Sequence, residues 1–282
     1  MGRRTVVITG GSSGIGLAAA VAFARNGDEV VLLGRNPKRL ARAVSQVAHV
    51  TGRRPPAYRA DFAVLDEVRA VGARLAAEYE RVDLLANNAG LLAPWTRSTV
   101  DGFDVTMQVN HLAGFLLCHL LLPNLRAAAA DTGASARIVT TSSLAEAWGW
   151  LDVDRPAEPL LRYRSRWLAY GASKRANILF TVEAARRWTP LGVVATCFFP
   201  GLVRTGFARS SLLFALTRPV PVLSRSATRA ADTLVWLAND DAGLVPGGYY
   251  AYRSEFAAMP WSTDPRRAAR LWDASLRAVG LA

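Results

Sequence analysis

Short apolar runs alternate with stretches of helical periodicity along nearly the whole chain. Thr5-Val6-Val7-Ile8-Thr9 is β-branched and runs into glycines, which predicts a strand. The alanine-rich stretch after the glycines, to about Arg25, predicts a helix. The same alternation predicts strands over 29–33, near 58–60, and over 82–86, 137–141 and 193–199. It predicts helices over 65–80, 103–121 and 265–279, and another around residue 170. Strand and helix repeat with no linker and no internal repeat. The fold expected over 1–282 is therefore a single α/β domain, a doubly wound parallel sheet with helices on both faces. The 103–121 helix carries one conspicuous polar group, Asn110. A buried asparagine needs partners for its amide, so a kink or an ordered water chain is expected there.

Composition narrows the function classes. A chain of 282 residues that is 51% hydrophobic and 20% charged is globular in character. Its net charge of +12 raises nucleic acid as a partner, but the arginines are spread along the length without a run of five. A solvated arginine-biased surface is expected, with no nucleic-acid partner and an attraction for phosphorylated anions. Cys118 and Cys197 lie in apolar runs, and with His49, His111 and His119 they show no metal-ligand spacing. Buried reduced thiols, no metal and a cytoplasmic location are expected. The stretch before the first strand is too short for a signal-peptide core, and Val6 breaks the myristoylation pattern. No uninterrupted apolar run approaches the roughly 18 residues of a spanning helix, so no stable membrane insertion is expected.

Three stretches carry candidate chemistry. Gly10-Gly11-Ser12-Ser13-Gly14-Ile15-Gly16 joins the first strand to the first helix. Such a turn lets backbone approach a pyrophosphate, which then sits on the N–H groups of the helix start. An acid about 20 residues further on would hold the adenine ribose of NAD, but none occurs between Glu29 and Asp61. Arg35, with Lys38 and Arg39 nearby, would meet a 2′-phosphate instead, which favours NADP(H) over NAD(H). Arg42 reads as a surface charge on the next helix. Asp61 either meets the adenine amino group or opens a helix-entry turn.

The third stretch is Tyr170-Gly171-Ala172-Ser173-Lys174. Residues four apart share a helix face, so phenol and ammonium point the same way. A cation close by lowers a phenol pKa, giving a group able to exchange a proton in alcohol–carbonyl interconversion. Only Lys38 and Lys174 among the 34 basic residues are lysines, which marks position 174 as needing a compact charge.

Thr9-Gly10-x-x-x-Gly14-Ile15-Gly16, Asn87-Asn88-Ala89-Gly90, Asn110, Ser143, Tyr170-x-x-x-Lys174 and Pro200-Gly201 stand in an order that resembles the short-chain dehydrogenase/reductase family nearly end to end. The resemblance implies a Rossmann-type domain with 1–142 mainly the cofactor half and 143–282 the catalytic and substrate half. It implies Tyr170 as general acid/base, and Lys174 on the nicotinamide ribose, lowering the tyrosine pKa. Ser143, rather than Ser142, would meet the substrate oxygen, and Asn110 would link the lysine to a water relay. Gly10, Ser12, Ser13, Gly14, Ile15, Gly16, Arg35, Asp61 and Phe62 are the expected cofactor contacts in the first half. Asn88, Ala89, Gly90, Tyr170, Lys174, Pro200, Gly201, Val203 and Thr205 complete the set, with Thr205 on the carboxamide. A homodimer or homotetramer is also implied.

Val109-Asn110-His111-Leu112, Ser173-Lys174-Arg175-Ala176-Asn177 and Leu271-Trp272-Asp273 are similar to the retinol-dehydrogenase branch, which includes the WW-domain oxidoreductase. The Gly11-Ser12-Ser13 loop is closer to general bacterial reductases. Residues 144–169, with Trp148, Trp150 and Trp167, and residues 207–226 read as pocket walls for a bulky apolar small molecule. The expected reaction is NADP-dependent alcohol/ketone interconversion. Reduction of an activated carbon–carbon double bond, or non-catalytic cofactor sensing, are the competing readings. The arginine- and alanine-rich composition points to a high-GC bacterium and to secondary metabolism.

Overall fold

Period-two alternation along the strands feeds two separate cores. In β1 (Thr5–Thr9) Val7 faces one side of the sheet, while Val6 and Ile8 face the other. In β2 (Glu29–Gly34) Val31 and Leu33 join Val7, and Val30 and Leu32 join Ile8. Helices cover both faces, so these strands are apolar at nearly every position. The computed structural model describes residues 3–94, 97–156, 158, 165–201, 226–239 and 245–282.

The other elements follow in chain order. Helix α1 (Gly14–Arg25) leaves β1, and α2 (Pro37–Thr51) leaves β2. Next come β3 (Ala57–Arg59), α3 (Leu65–Glu78), β4 (Leu84–Asn87) and the long helix α4 (Val105–Thr132). β5 (Ala136–Thr141) leads through a tight turn, Leu144–Ala147, towards α5 (Arg166–Trp188) and β6 (Val193–Phe199). The chain closes with α6 (Ala227–Asn239), β7 (Tyr249–Ala251), β8 (Ser254–Glu255), α7 (Pro260–Thr263) and α8 (Pro265–Ala278).

The strand order is β3-β2-β1-β4-β5-β6-β7-β8, parallel except for the β7–β8 pair. Connections run one way from β1 to β3 and the other way from β4 onward. The direction reverses between β1 and β4, and the crevice at their carboxyl ends is where such sheets take ligands. Side chains of α3, α4, α5 and α8 pack on the Val7 side, and those of α1, α2 and α6 pack on the Ile8 side.

Three features depart from the sequence reading, the first being helix α6, for which no element was predicted. Strands β7 and β8 were not predicted. They form a two-residue hairpin in which Tyr252 and Arg253 both have positive φ, 57° and 62°. Such turns favour Asn-Gly, and a Tyr-Arg pair after a three-residue strand gives no local signal. Helix α4 is also longer than expected and, by length and mean hydropathy (1.4), apolar enough to cross a membrane. Its Phe115, Leu116, Leu117 and Leu121 are buried in the core. Asn110, His111, His119 and Asn124 interrupt the apolar run, which is why a count of uninterrupted residues passed over it.

Candidate active site

The turn after β1 is shaped by three backbone demands. Gly10 and Gly14 have φ of +66° and +56°, a region open to glycine. A Cβ on Gly16 would lie 2.5 Å from the Gly10 carbonyl oxygen and 2.6 Å from Asn88 Nδ2, so the start of α1 can press on the turn only without a side chain. Thr9 then fastens the turn to its neighbour. Its Oγ1 donates to the Ala86 carbonyl at 3.2 Å and accepts the N–H groups of Asn88 and Ala89 at 3.0 and 2.9 Å. The Ser13 side chain makes no capping bond, which leaves the first-turn N–H groups of α1 as natural partners for an anion.

A cleft of about 1260 Å³ opens from this turn. That exceeds the roughly 300–1,000 Å³ of ordinary small-molecule sites, and gives room for a dinucleotide and a second molecule. Every predicted cofactor contact among the described residues lines it except Gly16, whose place is under the turn. Val203, Thr205 and residues 207–225 lie outside the described residues.

At one end, Arg35 stands just past β2, its guanidinium 3.7 Å from the Asp61 carboxylate. Asp61 Oδ1 also accepts the Ala63 N–H at 3.0 Å, so it does open the helix-entry turn as well as facing the cleft. Arg39 and Arg42 line this end too. Arg42 was expected to be a plain surface charge. Asn36 caps α2 through the Arg39 N–H at 3.0 Å, and the i, i+3 spacing of Arg39 and Arg42 on that helix sets both beside Arg35 along the cleft.

At the other end lie Ser143, Tyr170 and Lys174. Thr141 ends β5, and Ser142 turns inward, its hydroxyl donating to the Lys174 carbonyl at 2.9 Å. Ser143 turns outward to the cleft, where it hydrogen-bonds the Tyr170 phenol. Lys174 Nζ lies 5.5 Å from the Tyr170 ring centroid and donates to the Thr141 carbonyl at 2.9 Å. Asn110 sits behind the wall in a π-helical turn of α4, Gln108–Leu112, at the place where a kink or a water chain was expected. Its Oδ1 accepts the Leu91 N–H at 2.7 Å, and its Nδ2 donates to the Leu91 carbonyl at 3.0 Å and to Ser173 Oγ at 2.9 Å. A Cβ on Gly90 would lie 3.2 Å from Asn110 Oδ1 and 3.6 Å from Lys174 Nζ, which explains a glycine at that crossing.

Burial governs the electrostatics of this pair. Burial pushes the Tyr170 phenol up to about 12, against the smaller pull of the Ser143 hydrogen bond. Burial also pushes Lys174 down to about 8.

The Tyr170 end of the cleft is lined by Leu144, Trp148 and Trp167, and by the apolar Leu91, Leu92 and Val109, which the sequence reading missed. The Trp167 ring stands edge-on to Tyr170 at 6.5 Å. Trp150, 49% exposed, does not line the cleft.

The short chain dehydrogenase family matches residues 4–154. The DnrU protein of Streptomyces sp. strain C5, provisionally named a daunorubicin C-13 ketoreductase, is 47% identical over 279 residues, covering 98% of this chain and 93% of its own. Human retinol dehydrogenase 13 is 35% identical, over 99% of this chain and 85% of its own. Among solved structures, a short chain dehydrogenase from Escherichia coli CFT073 complexed with NADPH superposes with a TM-score of 0.68 at 29% identity, covering 88% of this chain and 95% of its own. With the strand order, the glycine turn and the Tyr170–Lys174 pair already in place, these matches show that the chain belongs to the short chain dehydrogenase family, in its retinol-dehydrogenase-like branch.

Proposed function

We propose that the protein is an NADP-dependent oxidoreductase that interconverts an alcohol and a ketone or aldehyde on a bulky apolar small molecule. One observation carries the reading: Ser143, Tyr170 and Lys174 meet in the same cleft as the β1–α1 glycine turn. The residues fit the cofactor. The glycine turn and the start of α1 would hold a pyrophosphate, and Arg35, Arg39 and Arg42 a 2′-phosphate. The structural relative that holds NADPH supports the same assignment. When bound, the nicotinamide supplies or accepts the hydride.

The chain's own groups then handle the proton and the placement. Ser143 donates a hydrogen bond to the substrate oxygen and orients it. Tyr170, protonated throughout the neutral range, gives its proton to the developing alkoxide in reduction. Lys174, with a pKa near 8, is charged at neutral pH and would meet ribose hydroxyls while holding the Thr141 carbonyl. Asn110, fixed by Leu91 and Ser173, keeps the helix wall behind Lys174 in place. Leu144, Trp148 and Trp167 favour a flat apolar substrate, and the name of the Streptomyces relative makes daunorubicin a compound to try. The free buried thiols of Cys118 and Cys197 accord with a cytoplasmic location, and a homodimer or homotetramer is the proposed assembly.

The test is NADPH consumption across aldehydes and ketones graded by size, daunorubicin included, with NADH in parallel. Turnover with NADPH and large carbonyls is expected. Tyr170→Phe should lower kcat by at least about a hundredfold while leaving NADPH affinity within about twofold. Arg35→Ala should raise the KM for NADPH by about tenfold and hardly change that for NADH. Full activity in Tyr170→Phe would remove the proposed mechanism, and a preference for NADH would remove the arginine argument alone.

A further inference from the structure

The turn that carries Ser143 and Trp148 is fastened by two buried charged residues that the chemistry above leaves unused. Glu146 is 3% exposed, and its side chain reaches the segment before α8. Oε1 accepts the Met259 N–H at 3.1 Å, and Oε2 accepts the Ser262 hydroxyl. The Glu146 carbonyl faces the other way, towards α5, and accepts Nε and Nη2 of Arg175 at 3.2 and 2.7 Å. Arg175 Nη2 also reaches the Ala147 carbonyl at 3.4 Å, and its guanidinium lies 5.5 Å from the Trp261 ring centroid. Arg175 directly follows Lys174.

At Gly149 and Gly171 turn and helix meet backbone to backbone. A Cβ on Gly149 would fall 2.0 Å from the Gly171 carbonyl carbon, and one on Gly171 would fall 2.4 Å from the Ala145 oxygen. Gly171 directly follows Tyr170. Two glycine backbones in contact bring no interlocking side chains, so dispersion alone gives that seam little grip. Buried charged groups are retained only when their hydrogen bonds are met, and here every bond named ends on the turn or on the segment behind it.

We propose that Arg175 and Glu146 are positioning residues, which clamp the 143–149 turn to α5 at the separation where Ser143 meets Tyr170 and Trp148 walls the substrate. The inference rests on Tyr170 and Ser143 acting as proposed above. Arg175 ties the turn to the helix that bears Tyr170 and Lys174, and Glu146 ties the same turn to Met259 and Ser262. The cofactor end of the cleft shares none of these bonds, so the clamp acts on turnover and leaves cofactor binding alone.

The test compares wild type with Arg175→Met, which keeps bulk and loses the donors, and Arg175→Lys, which keeps a charge and a compact donor. Steady-state kcat and KM are read beside amide hydrogen exchange, the latter needing no turnover. Arg175→Met is expected to lower kcat by about ten- to a hundredfold with the KM for NADPH within about twofold. Exchange of the Trp148 and Gly149 amides, which donate to the Ala145 carbonyl at 3.3 and 3.2 Å, should quicken at least about tenfold. Arg175→Lys should recover part of both. Unchanged exchange in Arg175→Met overturns the clamp, as does a lower melting temperature with kcat per folded molecule intact. Wild type that binds NADPH yet turns over no carbonyl would sink the proposed function instead, and exchange alone would then decide the clamp.

Discussion

Lys174 holds its charge where water does not reach. It is 3% exposed, and burial moves its pKa from 10.5 to about 8. The sign of the linkage follows from that direction. Between pH 8 and 10.5 the unfolded chain binds the proton and the folded chain does not, so stability rises with pH across that window. Below pH 8 the full burial penalty is present, on the order of 3 kcal/mol. Lys174→Met should therefore raise the melting temperature at pH 7 by several degrees while abolishing activity, taking roughly 2–4 °C per kcal/mol. The Thr141 carbonyl would keep a donor, Asn177 Nδ2 at 3.1 Å. Thermal unfolding at pH 7 and pH 10.5 checks this. The gain should vanish at the higher pH, and a loss of stability at pH 7 would mean the bond to Thr141 outweighs the burial.

At the scale of elements, α4, α5 and α8 meet in an aromatic cluster around a histidine. His111 lies 5.9 Å from Phe115 and 6.3 Å from Phe180 between ring centroids, and Trp272 of α8 stacks on Phe180 at 5.9 Å. His111 Nε2 is 3.0 Å from Ser275 Oγ, and burial lowers its pKa to about 4. Here the unfolded chain takes up a proton as pH falls through 6.5, and the folded chain resists until about 4. Stability contributed by the neutral ring is complete above pH 6.5 and lost progressively down to pH 4. Denaturant unfolding at pH 7 and pH 4.5 should show a loss for wild type that is smaller, by about 2 kcal/mol, in His111→Phe. Equal losses in the two proteins would place the acid lability elsewhere.

At the scale of the whole molecule, a net charge of +12 surrounds a cleft edged by Arg35, Arg39 and Arg42. Long-range attraction falls off over a Debye length of about 10 Å at 0.1 M salt and about 3 Å at 1 M. The KM for NADPH should accordingly rise severalfold between 0.05 and 0.5 M salt, and the KM for NADH far less, because the 2′-phosphate adds about two charges at the arginine edge. Parallel salt dependence for the two cofactors would indicate that the arginines attract anions in general and do not read that phosphate.

The sequence by itself determined the period of each element, the glycine turn, the reversal of helix and strand, and the order of the motifs. These are local: a turn that needs positive φ at Gly10 and Gly14, or two side chains four residues apart on one helix, is written in consecutive residues. Tertiary structure decided what depends on residues far apart in the chain. The Tyr170 phenol is raised to about 12 because burial is a property of the assembled cleft, which the Tyr-x-x-x-Lys spacing could not show. Arg42 turned out to line the cleft because α2 runs along its edge, and β7 pairs with β6 through contacts that a three-residue strand does not announce. The Glu146–Arg175 clamp joins residues 29 apart to a segment 116 residues beyond Glu146. Short-range sterics and periodicity are encoded along the chain, whereas desolvation and polar pairing arise only when distant segments exclude water from one another.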